Sequence, residues 1–302
     1  MTKQTLAKLA AIFSGLVFGI YWIPLRAMEE SGLPGLWAVA VFNLIAILIV
    51  LPFIAHRWQL LVPGRAKLHF GTFFAGLAFV GYAGAFLYTE VIRVIVLFYI
   101  LPIWGFILAR LVTGERITGI RWTSMALGLA GLVIIFGWEK GFPMPSNLGD
   151  WMALGAGMLW ALASMLMLMD QDDAGNYTLG FIFWSALIGF TAALAANYYG
   201  ALPDADWSEF TTTIRYLIPF TILIIIPVAF ATMFGPSQLN PGTVGLLFMT
   251  EISVGTATAA LLAGEPFGMQ EILGVSAITL AGIVEPFYDK LPGRASSSPK
   301  IS

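Results

Sequence analysis

The stretch LVTGERIT at residues 111–118 returns as LLAGEPFG at residues 261–268, an offset of 150 positions. Both copies close an apolar run and precede another. Glycine can take the left-handed conformation that ends a helix. A glutamate just before the next helix sits favourably against its positive N-terminal dipole. The phrase therefore predicts a tight reversal between two helices, and its recurrence predicts a duplicated chain. Residues 85–116 lie over 235–266 without a gap, which places Gly105 on Gly255, Gly114 on Gly264 and Glu115 on Glu265. LAGLV at 129–133 matches LAGIV at 280–284 after a one-residue slip, and the first helices match with Phe18 and Gly19 over Trp160 and Ala161.

The solvent of this duplicated chain follows from composition. Of 302 residues 59% are hydrophobic and 11% charged, with a mean hydropathy of +0.86. That is far more apolar surface than a soluble core of this size could bury. Apolar runs recur at 7–28, 34–55, 69–88, 91–112, 119–138, 150–169, 178–200, 214–234, 241–262 and 269–288. Each is near the roughly 20 residues that cross a bilayer's hydrocarbon. The first run follows Lys3 and Lys8 but lacks a small-residue cleavage site, so it reads as a retained helix and not a signal peptide. Each half then carries five spans. Five is odd, so the second half enters the membrane from the opposite side. The expected fold is an all-α membrane protein of ten transmembrane helices in two five-helix inverted repeats, residues 1–140 and 141–290, followed by a disordered cytoplasmic tail at 291–302. Inverted repeats of this kind occur in transporters whose substrate site lies near the midplane between the halves.

With the N-terminus inside, eleven of the 15 Lys and Arg fall on inner segments, and only Arg26, Arg93, Lys140 and Arg215 fall outside. Positive charge is retained on the cytoplasmic side, so both termini are expected there. The chain has no cysteine, hence no thiol nucleophile or thiolate metal site, and its two histidines, His56 and His69, flank a basic loop without a carboxylate cluster. They read as interfacial residues, and no metal or cofactor is expected. No HExxH, Ser/His/Asp arrangement, paired intramembrane aspartates or phosphate-binding glycine loop is present. These absences argue against an enzyme and against ATP-driven pumping. The expected partners are a small-molecule substrate and the lipid bilayer, with no nucleic acid. A monomer is favoured and a homodimer possible, because the small residues of spans five and ten could join the halves or form a dimer seam.

Charged groups at the bilayer centre are costly and functional by default, and Glu251 is the clear case. It lies eleven residues into span nine, about 16 Å along that helix. Binding a substrate ammonium, carrying a proton and serving as a neutral hydrogen-bonded acid all fit it. In the alignment Glu251 overlies Leu101, two residues past Tyr99, so symmetric packing with Tyr99 in the cavity turns Glu251 away. Asn43, mid-span, needs hydrogen-bond partners and could cradle a substrate or bond a neighbouring helix. Phe18, Trp22, Phe79, Tyr82, Tyr99, Trp104, Trp160 and Trp184 lie at central depth. As a set they suit an aromatic-lined cavity, with Ser164 and Ser185 as polar handles. Glu90 and Arg93 stand three apart and can pair.

Proline and glycine punctuate the spans. Pro102, Pro219 and Pro227 lie inside spans four and eight and are expected to bend them. The second half has Ile252 where the first has Pro102, which predicts that the halves bend differently. Asn240 is a candidate N-cap for a helix with Pro241 at its first position. Gly15 and Gly19, and Gly81 and Ala85, are spaced for close helix approach. Glu115 and Glu265 serve as scaffold or gate at opposite faces.

The duplication, ILPIW at 100–104 ahead of TGERIT at 113–118, and LGLAGLVII at 127–135 together resemble the drug/metabolite transporter superfamily, specifically its EamA-type members. Within these the chain is most similar to the YddG-type aromatic amino-acid exporters. The resemblance implies a ten-helix carrier in the bacterial inner membrane that exports aromatic and other neutral amino acids by alternating access. Export of aromatic organic cations, drugs or other small metabolites is the alternative. Small multidrug-resistance relatives carry a proton-coupling glutamate in their first helix. Spans one and six have none here, so that route to coupling is absent.

Overall fold

A computed structural model describes residues 2–57, 65–114, 118–136, 144–170, 172–202, 207–264 and 267–288. Glu115 and Glu265 lie outside the described residues. The described chain is helical, in the order α1 (Lys3–Phe18), α2 (Trp22–Glu30), α3 (Leu36–His56), α4 (Ala66–Ala85), α5 (Val91–Phe98), α6 (Leu101–Thr113), α7 (Gly119–Phe136), α8 (Leu148–Asp170), α9 (Ala174–Tyr198), α10 (Trp207–Phe220), a π segment (Thr221–Ile225), α11 (Ile226–Phe234), α12 (Pro241–Phe248), α13 (Thr250–Leu262) and α14 (Met269–Tyr288). Several are consecutive pieces of one rod. By length and composition eight rods among the described residues can cross a membrane, and the two shorter apolar helices, Gly119–Ile135 and Met269–Ala281, fall where spans five and ten were expected. The chain has the form of a multi-pass membrane protein.

The repeated glycines do what their phrase predicts. Gly114 caps α6 at φ 68°, and Gly264 beyond α13 has φ 69°, so both turns use the left-handed region that glycine enters without a steric cost.

The breaks inside the rods differ from the expectation drawn from proline. The fourth rod breaks at Tyr99–Ile100, just ahead of Pro102, and the ninth breaks at the aligned Met249 with no proline nearby. The two rods therefore break at aligned positions, with or without a proline. Proline cannot be the common cause; what the two breaks share is a tertiary setting, a neighbouring helix whose glycine faces the interrupted backbone. A β-carbon on Gly157 of α8 would stand 2.5 Å from the Phe98 carbonyl oxygen, and one on Gly15 of α1 would stand 2.8 Å from the Phe248 carbonyl oxygen. Gly15 and Gly157 occupy corresponding places in the two halves, at the offset that pairs Phe18 with Trp160. The first rod also breaks, at Gly19–Tyr21. There the Gly19 carbonyl accepts from the Thr258 hydroxyl of α13 at 3.0 Å. Broken backbone survives in a bilayer only where such partners exist. In the eighth rod Pro219 and Pro227 bracket the π segment. Pro227 donates no amide hydrogen, and the wider turn absorbs the interruption.

Packing places these breaks at the centre. α4 lies antiparallel on α8, with Gly71 facing Met167 and Gly81 facing Ala156. Spans four and nine cross through Gly105, whose β-carbon would stand 2.7 Å from the Gly242 nitrogen. Helices α7 and α14 pack on each other through Gly131 and Gly274, each of which would bring a β-carbon to 2.6 Å from the other's carbonyl oxygen. The two helices that fall where spans five and ten were expected thus join within one chain.

Candidate functional site: an aromatic cavity with one carboxylate

Where the breaks converge, Phe18, Ala78, Phe79, Tyr82, Phe98, Trp160, Thr232, Phe248 and Glu251 line a partly open cavity of about 30 Å³. That is room for about one water molecule, so a larger ligand enters only as the walls part. The walls come from α1, α4, α5, α8, α11, α12 and α13. The rings meet mainly edge to face: Phe18 on Phe79 at 6.2 Å, Phe79 on Phe181 at 5.3 Å and Trp160 on Phe181 at 6.1 Å. Tyr82 tilts against Phe98 at 4.5 Å and Phe248 against Trp160 at 6.1 Å. Edge-to-face pairs fix ring orientation as well as burying area, so the wall is preformed.

Glu251 is the only charged residue type in this lining and is 3% exposed. The break at Met249 puts it in the first turn of α13, where the positive helix end favours an acidic group. Two tyrosine hydroxyls reach it: Tyr82 of α4 donates to Oε1, and Tyr99, the cap of α5, lies 2.7 Å from Oε2. Tyr99 Oη also lies 2.6 Å from the Phe248 carbonyl oxygen. Symmetric packing with Tyr99 in the cavity would turn Glu251 away from it; here Glu251 is in the lining and Tyr99 stands behind it. Breaks at both positions let the two side chains point at each other.

The other expected residues scatter more widely. Phe18, Phe79, Tyr82, Trp160 and Glu251 converge on the cavity, and Tyr99 backs it through Glu251. Trp22 donates from Nε1 to Thr258 Oγ1 at 3.2 Å and carries the Arg26 guanidinium over its ring. Asn43 donates to the Val39 carbonyl of its own helix at 2.8 Å. Trp184 donates to His69 Nδ1 at 3.4 Å, away from the cavity lining. Buried Ser164 and Ser185, and the Trp160 and Trp104 indole nitrogens, have no hydrogen-bond partner among the described residues. Pro219 and Pro227 face outward. No group of three or more His, Cys, Asp or Glu able to hold a metal occurs among the described residues.

Arg93 does not take Glu90 as its bonded partner. It pairs with Asp150 at the start of α8, its Nε 3.1 Å from Oδ1. Asp150 also accepts from Thr89 Oγ1 at 3.1 Å and from the Ser146 amide and hydroxyl at 2.9 Å each. At the opposite end of α8, Arg65, the cap of α4, bonds Asp172 at 2.8 Å, and Arg57 at the end of α3 donates to Asn176 Oδ1 of α9 at 2.8 Å. Charged contacts thus tie the start of α8 to α5, and the chain just beyond its end to α4.

Phe98, Phe248 and Thr232 were not singled out from the sequence. A signal was there: the offset that aligns the two GE phrases also puts Phe98 on Phe248 and Tyr82 on Thr232.

Residues 5–137 match the model of the EamA-like transporter family. A solved structure described only as "Crystal structure of protein" superposes with a TM-score of 0.68 at 15% sequence identity, covering 98% of this chain and all of the other. At that identity the likeness speaks for the fold alone. No curated protein matches.

Proposed function

We propose that the protein is a membrane transporter of small molecules whose substrate site is the aromatic cavity, and that it moves aromatic and other neutral amino acids out of the bacterial cytoplasm. The match of residues 5–137 to a transporter family supports the class. One observation carries the site: the cavity wall is drawn from both halves in corresponding pairs, Phe18 with Trp160, Phe98 with Phe248 and Tyr82 with Thr232. A cavity on the axis relating two inverted halves is where alternating access needs its substrate. On this reading the chain has ten spans in two five-helix repeats, residues 1–140 and 141–290, with both termini cytoplasmic, and it works as a monomer.

The chemistry of the wall sets the substrate class. Aromatic rings accept an aromatic or aliphatic side chain, and Glu251 accepts an ammonium. The Trp160 indole N–H, without a protein partner among the described residues, is a donor for a ligand oxygen. A second reading, transport of aromatic organic amines, is favoured by the absence of a cationic residue from the lining.

Purified protein in liposomes, assayed for uptake of radiolabelled tryptophan against radiolabelled tryptamine, decides between them. Saturable tryptophan uptake that excess tryptamine does not abolish supports the amino-acid reading. Uptake of tryptamine alone transfers the site to amines, and uptake of neither defeats both.

A further inference from the structure

Tyr99 Oη stands 2.6 Å from the Phe248 carbonyl oxygen and 2.7 Å from Glu251 Oε2. Both are hydrogen-bond distances, yet a phenol carries one hydrogen. If Glu251 is a carboxylate, neither it nor the carbonyl can donate, and one of the two contacts is a close approach of lone pairs. If Glu251 carries a proton on Oε2, every contact is satisfied. Oε2–H donates to Tyr99 Oη, Tyr99 Oη–H donates to the Phe248 carbonyl, and Oε1 accepts from Tyr82. Tyr99 and Glu251 are both almost fully buried, where an unmade bond is expensive.

We infer that Glu251 is a proton-binding site, and that its proton locks the break between α12 and α13 by aiming the Tyr99 hydroxyl at the Phe248 carbonyl. An unbroken helix would give that carbonyl to the Ile252 amide, but Ile252 donates to Met249 instead, at 3.0 Å. When the Oε2–H bond breaks, the proton leaves to water in the cavity, the Tyr99 hydrogen turns to Oε2, and the Phe248 carbonyl loses its donor. The break then has to rearrange. Loss of one proton is thereby linked to the backbone at the cavity wall. The titratable groups facing Glu251 are Tyr82 from α4 and Tyr99 from the end of α5; α1, α8, α11 and α12 contribute Phe18, Trp160, Thr232 and Phe248, none of them charged. Tyr99 acts as a positioning residue and touches no substrate in this arrangement.

The inference deepens the transporter reading by naming its coupling ion, and its test reads the proton without transport. Infrared difference spectra between neutral and alkaline pH are recorded on the wild type, Glu251→Gln, Tyr99→Phe and Tyr82→Phe, all in lipid. The expected result is a carboxylic-acid carbonyl band in the wild type at neutral pH, lost on alkalinisation and missing from Glu251→Gln. In Tyr99→Phe the band shifts toward that of an acid without an acceptor. Tyr82→Phe removes a donor that favours the charged form, so its band survives to higher pH. No Glu251-dependent acid band at neutral pH, or a band unmoved in Tyr99→Phe, overturns the proposal. If Glu251→Gln fails to fold, the two tyrosine variants still decide it. Absence of tryptophan uptake with the band present sinks the substrate reading and leaves the proton site standing.

Discussion

Gly157 lies beneath the carbonyl of Phe98, so close that a β-carbon would stand 2.5 Å from the oxygen. The contact is backbone to backbone. Relief therefore requires α8 to move off the break between α5 and α6. Gly157→Val is expected to cost about 1–3 kcal/mol of stability through overpacking and to displace Trp160 from the cavity. Gly155, with nothing within 4 Å of a built β-carbon, is the control, and Gly155→Ala is expected to be neutral. Thermal unfolding in detergent compares the two. Equal midpoints would show that the Phe98 carbonyl is not in contact with α8.

Asp150 is fully buried and the Arg93 side chain is 23% exposed, so the pair is screened weakly. Asp150→Ala leaves the guanidinium and the Ser146 and Thr89 donors without their acceptor, and is expected to cost about 3–5 kcal/mol. Asp150→Asn keeps an oxygen acceptor and is expected to cost less than Asp150→Ala. Glu90→Gln, removing a carboxylate that Arg93 does not bond, is expected to change the unfolding midpoint little. A Glu90→Gln loss as large as that of Asp150→Ala would return Arg93 to its near neighbour in sequence.

Much of the frame was visible in the sequence because membrane helices declare themselves by length and hydropathy, and because glycine alone suits the left-handed turns at Gly114 and Gly264. Glu251 stood out because a charge at midplane depth needs a reason, and Phe18, Phe79, Tyr82 and Trp160 because they are aromatic at central depth. Nothing local sets Phe98 and Phe248 apart from the other phenylalanines of the apolar runs; only their correspondence between the halves distinguishes them. The break at Met249 was illegible for a different cause. No residue there is a helix breaker, and the break is sustained from outside, by Gly15 against one carbonyl and Tyr99 upon it. Which of Tyr99 and Glu251 faces the cavity was equally illegible, since symmetry allows one or the other; the fold gives the lining position to Glu251. Arg93 was matched with Glu90 because three residues is a visible spacing, whereas Asp150 is 57 residues distant and is brought near by the fold.

Gly131 and Gly274 let α7 and α14 touch backbone to backbone, each meeting the other's carbonyl oxygen. In lipid no hydrophobic force pulls two helices together, so close approach supplies the attraction. Gly274→Leu is expected to separate this pair and to lower the unfolding midpoint. It is expected to leave the ligand preference of the protein that still folds unchanged, since neither helix lines the cavity. A changed preference for tryptophan over leucine in Gly274→Leu would contradict that placement.

Phe248 and Phe98 correspond in the two halves but are held differently, and substitution separates their roles. Phe98 packs on Tyr82 at 4.5 Å and on Tyr99 at 5.2 Å, the two hydroxyls that hold Glu251. The ring neighbour of Phe248 is Trp160, at 6.1 Å. Phe248→Leu therefore removes a ring from the wall while leaving the tyrosines in place. A lost aromatic contact of roughly 0.5–1.5 kcal/mol corresponds to a rise in the KM for tryptophan of about 2- to 13-fold, with leucine affected less. Phe98→Leu is expected to bring the same selectivity change and, in addition, to move the pH dependence of uptake, because Tyr82 and Tyr99 lose the ring between them. Competition of unlabelled tryptophan and leucine against labelled tryptophan, repeated across pH, reads both effects. A pH profile that moves in Phe248→Leu but not in Phe98→Leu would reverse the assignment and place the polar cluster's support on the second half.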